Sequence, residues 1–215
     1  MNFETKRNKL IDKLKKNGYI SNKKVIKAMK KVPRHLFVSK DLKNESYVDK
    51  PLPIGKNQTI SAPHMVGILV QELNLTGEEK VLEIGSGSGY NASVIAEILH
   101  KGKVITIERH HKLADKAKEN IKKSGYTEKI KIIVGDGSQG YKEEAPYDRI
   151  LLTAGAPEIP QPLKEQLKEN GIIVAPVGGR RSQTLIVGKK INGKIKEEKK
   201  GGCAFVPLKG KYGFS

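Results

Sequence analysis

The stretch 81–90 constrains the fold more than any other part of the sequence and reads VLEIGSGSGY. A short apolar strand runs directly into three glycines at alternate positions, and a helix-forming segment follows. Glycines in such a turn allow a tight reversal and let the backbone approach a ligand without a Cβ atom in the way. The spacing is tighter than the Gly-x-Gly-x-x-Gly of dinucleotide sites, and the missing Gly-Lys-Ser/Thr excludes a P-loop for nucleoside triphosphates. The remaining alternatives are a ligand-binding turn and an ordinary strand-to-helix connection.

Apolar runs of strand length alternate with helix-length segments after residue 63. We expect strands at 80–84, 103–107, 130–134, 148–153 and 171–176, and helices at 65–73, 90–99, 112–123 and 161–168. Short buried strands that alternate with helices of this length are typical of a doubly wound, mostly parallel sheet. The sequence therefore predicts an α/β fold, with the Gly-rich turn at the carboxyl end of its first parallel strand.

Further segments flank this core on both sides. Residues 4–31 predict an N-terminal helical extension of two helices, and residues 39–63, rich in proline and polar residues, predict a long loop. Strands at 183–189 and 194–205, joined by Asn192-Gly193, predict an antiparallel hairpin with a type I′ turn. We expect a single domain over 1–215, made of the N-terminal helices and loop (1–62), the core (63–178) and the C-terminal strands (179–215).

The charge of the chain raises nucleic-acid binding as a hypothesis. The 215 residues include 41 Lys and Arg against 23 Asp and Glu, which gives a formal net charge of +18. Clusters of basic residues are what phosphate contacts require. The lysines are spread along the whole chain, however, and aromatic residues for base stacking make up 5% with no Trp. We therefore favour a solvated basic surface and expect no nucleic-acid partner.

Other features of the composition narrow the class of protein. Cys203 is the only cysteine, so no internal disulfide can form, and no Cys/His cluster has the spacing of zinc ligands. No apolar run approaches the roughly 20 residues of a membrane span, and the first residues lack the apolar core of a secretory signal. We expect a cytoplasmic protein without a metal ion or a membrane partner, acting as a monomer.

Two acids follow the second and third predicted strands. Glu108 ends the second strand, where a carboxylate is placed to accept hydrogen bonds from a ribose diol. Asp136 follows the third strand between two glycines, and it could accept a hydrogen bond from an exocyclic amine or cap the next helix. Since ligands of open α/β sheets bind beyond the carboxyl ends of the strands, the acids and the Gly-rich turn predict a cleft along one sheet edge.

Over residues 78–178, these motifs resemble the class I methyltransferases that use S-adenosyl-L-methionine. The resemblance implies that the Gly-rich turn passes the methionine and the ribose of this cofactor. It implies also that Glu108 binds the ribose hydroxyls and that Asp136 contacts the adenine. These implications concern the cofactor and leave the methyl acceptor open.

The methyl acceptor is indicated by motifs outside this core. Residues 53–65 read PIGKNQTISAPHM, and this run is similar to the signature of the protein-L-isoaspartate O-methyltransferase family. The segments VPRHLF (32–37), GDG (135–137), PVG (176–178) and FVPL (205–208) extend the resemblance over nearly the whole chain. For cofactor binding, the resemblance implies Gln58, Thr59, Ile60, His64, Gly85, Gly87, Gly89, Glu108, Asp136, Gly137 and Thr153. For the substrate, it implies the catalytic Ser61 together with Val206, Pro207 and Leu208.

Several of these residues have a structural alternative. Ser61 could cap the helix that begins near Pro63, and His64 could serve packing alone. The stretch 206–208 could be a sheet-edge strand that ends at a proline. The alternatives stay open at the level of sequence.

The resemblance implies methyl transfer to the free α-carboxylate of L-isoaspartyl residues in damaged proteins and peptides, with S-adenosyl-L-homocysteine as the product. The methyl ester would then start repair through a succinimide. The net positive charge makes a nucleic-acid methyltransferase the first alternative function. The chain lacks, however, the Asp/Asn-Pro-Pro-Tyr/Phe segment that enzymes use to methylate the amino group of adenine. The second alternative function is that of a basic binding protein that has this fold but no catalytic activity.

Overall fold

The computed structural model describes residues 2–214, which form six α-helices and nine β-strands around one large sheet. In chain order the elements are α1 (Phe3–Lys16), α2 (Lys23–Lys31), β1 (Leu52–Gly55), β2 (Gln58–Ile60), α3 (Pro63–Glu72), β3 (Lys80–Ile84), α4 (Tyr90–Ile98), β4 (Lys103–Glu108), α5 (His111–Ser124), β5 (Ile130–Val134), β6 (Tyr147–Leu152), α6 (Gln161–Gln166), β7 (Leu167–Gly178), β8 (Gln183–Ile191) and β9 (Lys194–Cys203).

The seven-stranded sheet has the order β5-β4-β3-β6-β7-β8-β9. The first five of these strands are parallel to their neighbours, whereas β8 and β9 are antiparallel. Strand β3 is buried on both faces, because Val81 packs into one hydrophobic cluster and Leu82 into the other. The predicted doubly wound, mostly parallel sheet with antiparallel C-terminal strands is confirmed.

The N-terminal extension also agrees with its prediction. Leu10, Ile11 and Leu14 form the buried face of α1. The side chain of Asn22 caps α2 by accepting hydrogen bonds from the backbone N–H groups of Lys24 and Val25, at 2.9 and 3.3 Å. No helix within residues 2–214 is long and apolar enough to cross a membrane.

The predicted boundary between the last helix and its strand is wrong. Helix α6 ends at Gln166 rather than at residue 168, and β7 begins at Leu167 rather than at Gly171. Leu167 is 1% exposed and is already paired with Tyr147 of β6. Burial of this leucine and the sheet hydrogen bonds therefore outweigh the local preference of a Leu-Lys-Glu stretch for helix.

The segment 39–63 is more ordered than the predicted loop. It contains a 3-10 turn (Lys40–Glu45) and the antiparallel hairpin of β1 and β2. The tip residues Lys56 and Asn57 both have positive φ, 53° and 56°, as a type I′ turn requires. The same geometry occurs at Asn192 and Gly193, with φ of 51° and 74°, where the Asn-Gly pair made the hairpin predictable.

A buried arginine holds the first half of this segment in place. Arg34 is 1% exposed, and its guanidinium donates to the carbonyl oxygens of Ser46 at 2.9 Å and Lys50 at 3.4 Å. It lies 5.2 Å from the centroid of the Tyr90 ring, a cation–π distance. Burial lowers the pKa of Arg34 to about 10, so the side chain is a cation at neutral pH. The conformation of residues 46–50 thus depends on one long-range contact.

We expect Arg34→Met to lower the free energy of unfolding by about 2–4 kcal/mol, because the buried carbonyl group of Ser46 and the partly buried one of Lys50 lose their donor. The exposed Arg181→Met is the matched control and should change stability by less than about 0.5 kcal/mol. Urea unfolding followed by circular dichroism measures both. Equal stabilities of the two variants would contradict the assigned role of Arg34.

Candidate active site

A cavity of about 370 Å³ opens at the carboxyl ends of β3 and β4. One wall is the Gly-rich turn with the end of β4, and the other is the stretch that follows β1, together with residues 206–209. Of the residues implied by the family resemblance, the cavity wall includes Gln58, Thr59, Ile60, Ser61, Gly85, Gly87, Glu108, Gly137, Thr153, Val206, Pro207 and Leu208. The wall does not include His64, Gly89 or Asp136, which lie behind it.

The Gly-rich turn is held against the end of β6. Gly85 has a φ of 99°, and a Cβ atom there would lie 2.4 Å from Oγ1 of Thr153. The Thr153 hydroxyl donates to the carbonyl oxygen of Gly85 at 2.7 Å. A Cβ atom on Gly87 would lie 3.3 Å from Ile54 of the hairpin, so the hairpin packs directly over the turn. Glycine is therefore required at position 85 by backbone conformation and by close approach together.

Glu108 presents a fixed carboxylate to the cavity. Its side chain is buried, and its two oxygens accept the backbone N–H groups of Gly87 and His110, each at 2.9 Å. Each carboxylate oxygen can accept a second hydrogen bond. The arrangement leaves acceptor sites for two neighbouring hydroxyl groups of a ligand.

Asp136 is engaged by the chain itself. One carboxylate oxygen accepts from the backbone N–H and the hydroxyl of Ser138, at 2.9 and 2.7 Å. The other accepts from the side chain of Gln139 at 3.2 Å and from the backbone N–H of Lys211 at 2.8 Å. These bonds hold the pKa of Asp136 below its usual value although partial burial opposes them. All four acceptor positions are occupied, so the capping alternative describes its side chain in this structure, and Gly137 is the residue of this loop that reaches the cavity.

Ser61 lies in the wall directly before α3. Helix α3 has Ala62 at its N-cap, with no side-chain hydrogen bond from that residue, so the N-cap alternative for Ser61 is wrong. Among residues 2–214, the hydroxyl of Ser61 has no hydrogen-bond partner. A half-buried hydroxyl without a partner is free to donate to a ligand in the cavity.

The N-terminus of α3 is capped by a residue from another segment. Asp49 accepts the backbone N–H of His64 at 2.9 Å and the Nδ1 atom of the same residue at 2.9 Å. The His64 ring also packs against Tyr19, with 5.1 Å between ring centroids. His64 therefore ties α3 to two other segments from behind the cavity wall, and Asp49 holds the residue that lies three positions after Ser61.

The stretch 206–208 belongs to the same wall of the cavity as Ser61. The carbonyl oxygen of Val206 accepts the backbone N–H of Gly155 at 2.9 Å, and the N–H of Leu208 donates to the carbonyl oxygen of Gly155 at 2.7 Å. A parallel bridge pairs Pro207 with Gly155. This pairing is a single bridge outside the seven-stranded sheet, so the edge-strand alternative is wrong, and residues 206–208 lie in the cavity wall.

A buried acid supports the Gly-rich turn from below. Glu83 is 0% exposed and accepts hydrogen bonds from the hydroxyl of Thr106 at 2.5 Å and the side-chain amide of Asn91 at 2.8 Å. The Thr106 hydroxyl also contacts that of Ser86 in the turn, at 2.7 Å. Burial raises the pKa of Glu83 to about 7, and the nearby Glu108 carboxylate adds to the effect while the two hydrogen bonds oppose it.

Sequence reasoning missed other residues of the site. The wall includes Lys56, Asn91, Arg109 and His110. The Oδ1 atom of Asn91 is buried and has no hydrogen-bond partner within the described chain. Position alone could have found Arg109 and His110, since they follow Glu108. No local signal indicated Asp49, because its contact with His64 spans a loop.

Solved structures share this fold over nearly the whole chain. A Plasmodium falciparum protein described as a protein-L-isoaspartate O-methyltransferase, in complex with S-adenosyl-L-homocysteine, is 30% identical with a TM-score of 0.84, over 94% of this chain and 98% of that one. A second structure with the same enzyme name is 32% identical with a TM-score of 0.87, over 96% of this chain and 67% of that one. The sheet, the Gly-rich turn and the acid after the second parallel strand define a class I methyltransferase.

Sequence comparison narrows this class to a family. The model of the protein-L-isoaspartate(D-aspartate) O-methyltransferase (PCMT) family matches residues 5–213. A protein-L-isoaspartate O-methyltransferase of Methanopyrus kandleri is 54% identical over 214 residues, 99% of this chain and 95% of that relative. Protein-L-isoaspartate O-methyltransferase 2 of Archaeoglobus fulgidus is 51% identical over 215 residues, 100% of this chain and 97% of that relative. The chain belongs to the PCMT family and is an enzyme.

We expect the stability of the protein to fall as pH rises from about 4.5 to about 7, in part because of Glu83. Between these pH values the folded protein keeps the proton on the Glu83 carboxyl, whereas the unfolded chain has released it, so unfolding becomes easier as pH rises. Above this range the carboxylate is ionised in both states, and the folded protein carries the full cost of burying its charge. Glu83→Gln mimics the protonated side chain, so it should remove about 3 kcal/mol of this pH dependence. Urea unfolding of both proteins from pH 4 to pH 8 measures the difference.

The exposed Glu128→Gln serves as the control and should follow the wild-type pH curve. A Glu83→Gln curve parallel to the wild-type curve would show that Glu83 is ionised throughout, contrary to the raised pKa.

Proposed function

We propose that this protein transfers a methyl group from S-adenosyl-L-methionine to the free α-carboxylate of L-isoaspartyl residues in damaged proteins and peptides. The observation that carries the proposal is the free hydroxyl of Ser61, which lies in one cavity with the Gly-rich turn and the Glu108 carboxylate. The family membership of the chain supports the same reaction. The ester product would close to a succinimide, and hydrolysis of that ring restores some normal aspartyl linkages.

The residues of the cavity wall fit the cofactor. Glu108 offers two oriented carboxylate oxygens to the ribose hydroxyls, and the turn at Gly85 and Gly87 leaves room for the adjoining methionine part. Gly137 is the residue by which the loop after β5 contributes to the wall, and the family resemblance implies that the adenine binds at this loop. When bound, the cofactor supplies an electrophilic methyl group on a sulfonium ion.

The substrate carboxylate needs no general base. An α-carboxyl group has a reference pKa of roughly 3.5, so it is ionised at neutral pH. The carboxylate oxygen attacks the methyl carbon, and the electron pair of the broken carbon–sulfur bond leaves with S-adenosyl-L-homocysteine. Ser61 donates a hydrogen bond to the other carboxylate oxygen and so orients the attack. Positioning and the exclusion of water are then the main contributions of the protein.

The peptide substrate is held along one side of the cavity. Backbone groups of Val206, Pro207 and Leu208 lie there beside Gly155, together with the stretch that contains Ser61. A rim made of backbone groups suits a substrate that varies in its side chains. An isoaspartyl residue carries its free carboxylate directly on the α-carbon, and its main chain is one methylene group longer. A normal aspartyl residue carries its free carboxylate one methylene group away from the α-carbon.

We propose also that the protein is a cytoplasmic monomer and that it consists of a single domain. Cys203 is half-buried and unpaired, which agrees with a reducing compartment. Tyr19, Val48, Val134 and Tyr212 are the exposed large hydrophobic side chains of the described chain, and they form little apolar surface for self-association.

The decisive experiment is methyl transfer from labelled S-adenosyl-L-methionine to two synthetic peptides that differ only in one isoaspartyl or normal aspartyl linkage. We expect base-labile label on the isoaspartyl peptide alone. Ser61→Ala should lower kcat/KM for this peptide by about 10²-fold while cofactor affinity stays within about twofold, since only one orienting hydrogen bond is lost. Label on neither peptide, from protein that binds the cofactor, would refute the proposed reaction.

The capping contact of Asp49 gives a second test of the site. We expect Asp49→Ala to lower kcat/KM for the isoaspartyl peptide by roughly tenfold, because the start of α3 and the adjoining Ser61 lose their fixed position. Asp49→Asn should recover most of the activity, since one amide oxygen can accept both hydrogen bonds of His64. The exposed Asp41→Ala is the control from the same segment. Loss of activity in Asp49→Asn equal to that in Asp49→Ala would show that charge, rather than capping geometry, matters.

A further inference from the structure

A second concave surface, distant from the Gly-rich turn, lies between α1 and α2. This lysine groove has a volume of about 470 Å³ and is lined by Lys15, Ser21, Lys23, Ile26, Lys27 and Lys30. Four of these residues come from one face of α2, at the i, i+3, i+4 and i+7 positions 23, 26, 27 and 30, whereas Val25, Ala28 and Met29 on the other face are buried.

The positive charge of the lysine groove is largely uncompensated. Lys30 pairs with Asp12 at 2.6 Å. Lys15, Lys23 and Lys27 are exposed, and no carboxylate of residues 2–214 lies within ion-pair distance of them. The first turn of α2 carries no acidic residue, so the positive end of the helix dipole adds to this field. The surface is therefore complementary to an acidic ligand.

Helix α3 connects the lysine groove to the active site. The linker between α1 and α2 runs alongside this helix. Tyr19 packs on His64, Ile20 approaches Gly67, and the backbone N–H of Ser21 donates to the side chain of Gln71 at 2.8 Å. Ser61 precedes the helix at one end, and the groove residue Ser21 is bound at the other.

The distance between the two sites follows from helix geometry. Ten residues separate Ser61 from Gln71, which corresponds to roughly 15 Å along the α3 axis. His64 and Gln71 on this face of α3 contact the linker residues Tyr19 and Ser21, which are exposed, so a surface formed by α3 and the linker leads from one site to the other. An extended peptide advances about 3.3 Å per residue, so about five residues span this distance, and one or two more reach the lysines of α2, which begins two residues after Ser21.

We propose that the lysine groove is a docking surface for an acidic segment of the same substrate chain, five to seven residues away from the isoaspartyl residue. This inference rests on the proposed function. A peptide whose isoaspartyl carboxylate is held at Ser61 and whose chain leaves along α3 reaches the four lysines. The aliphatic stems of the lysines and Ile26 would pack on the peptide, while the ammonium groups contact its carboxylates.

Steady-state kinetics on isoaspartyl peptides tests the docking surface. One peptide has neutral flanks, and two others carry four glutamates six residues before or after the isoaspartyl residue. We expect one acidic peptide to have a KM about tenfold lower than the neutral peptide at low salt, with unchanged kcat. The advantage should vanish near 0.5 M salt, where exposed charges are screened.

Two charge-reversed variants separate the groove from the overall charge of the protein. Lys23→Glu with Lys27→Glu should abolish the advantage of the acidic peptide and leave turnover of the neutral peptide unchanged. Lys196→Glu with Lys199→Glu, on exposed positions of β9, changes the net charge equally and should retain the advantage. Equal KM values for all peptides in the wild-type protein, or equal loss in both variants, would overturn the proposal.

A binding measurement keeps this test independent of catalysis. A hexaglutamate peptide without an isoaspartyl residue, added to isotope-labelled protein, should shift the amide resonances of Ser21, Lys23 and Lys27, and the groove variant should lose these shifts. Absence of shifts overturns the docking surface even if the neutral peptide is methylated. If the shifts occur but no peptide is methylated, the docking surface is supported and the proposed methyl-transfer function is refuted. Groove-dependent binding of a single-stranded oligonucleotide with no response to hexaglutamate would assign the surface to nucleic acid and also overturn the proposal.

Discussion

Parallel pairing of β3 with β4 and of β4 with β5 is the constraint on which the cofactor side of the cavity depends. The ladders bring Ile84 beside Ile107 and Glu108 beside Val134, so three strand ends meet at one edge of the sheet. Strand pairing alone therefore makes neighbours of the Gly-rich turn, the Glu108 carboxylate and the loop that contains Gly137. The carboxyl edge of a parallel sheet gathers polar loops in this way whatever their sequence separation.

The opposite side of the cavity depends on a different kind of interaction. Ser61 is placed by α3, whose first turn is held by the carboxylate of Asp49, and Asp49 belongs to a segment that the buried guanidinium of Arg34 organises. Asp49 accepts two hydrogen bonds from His64, and Arg34 donates two to the segment that contains Asp49. One wall therefore follows from regular secondary structure, and the other follows from buried and partly buried polar contacts between separate segments.

This difference decides how much of the molecule could be predicted from its sequence. The sheet, the turn at Gly85 and the acid at Glu108 were predictable, because apolar periodicity and glycine spacing are local signals. The hairpin at Lys56 and Asn57 was not predicted, since neither residue at its tip is glycine, and the early start of β7 at Leu167 depends on its partner strand. The hydrogen bonds that occupy the carboxylate of Asp136 were not predictable either, because one of their donors lies 75 residues away in the tail.

That tail contact has a consequence for the loop after β5. The N–H of Lys211 is bound by Asp136, the N–H of Tyr212 by the hydroxyl of Ser138, and the rim at Pro207 by Gly155. A cut between Leu208 and Lys211 would leave residues 206–208 paired with Gly155, so they would stay in the cavity wall. The same cut would release the tail from Asp136 and Ser138. The carboxylate of Asp136 would then regain a free acceptor position next to Gly137.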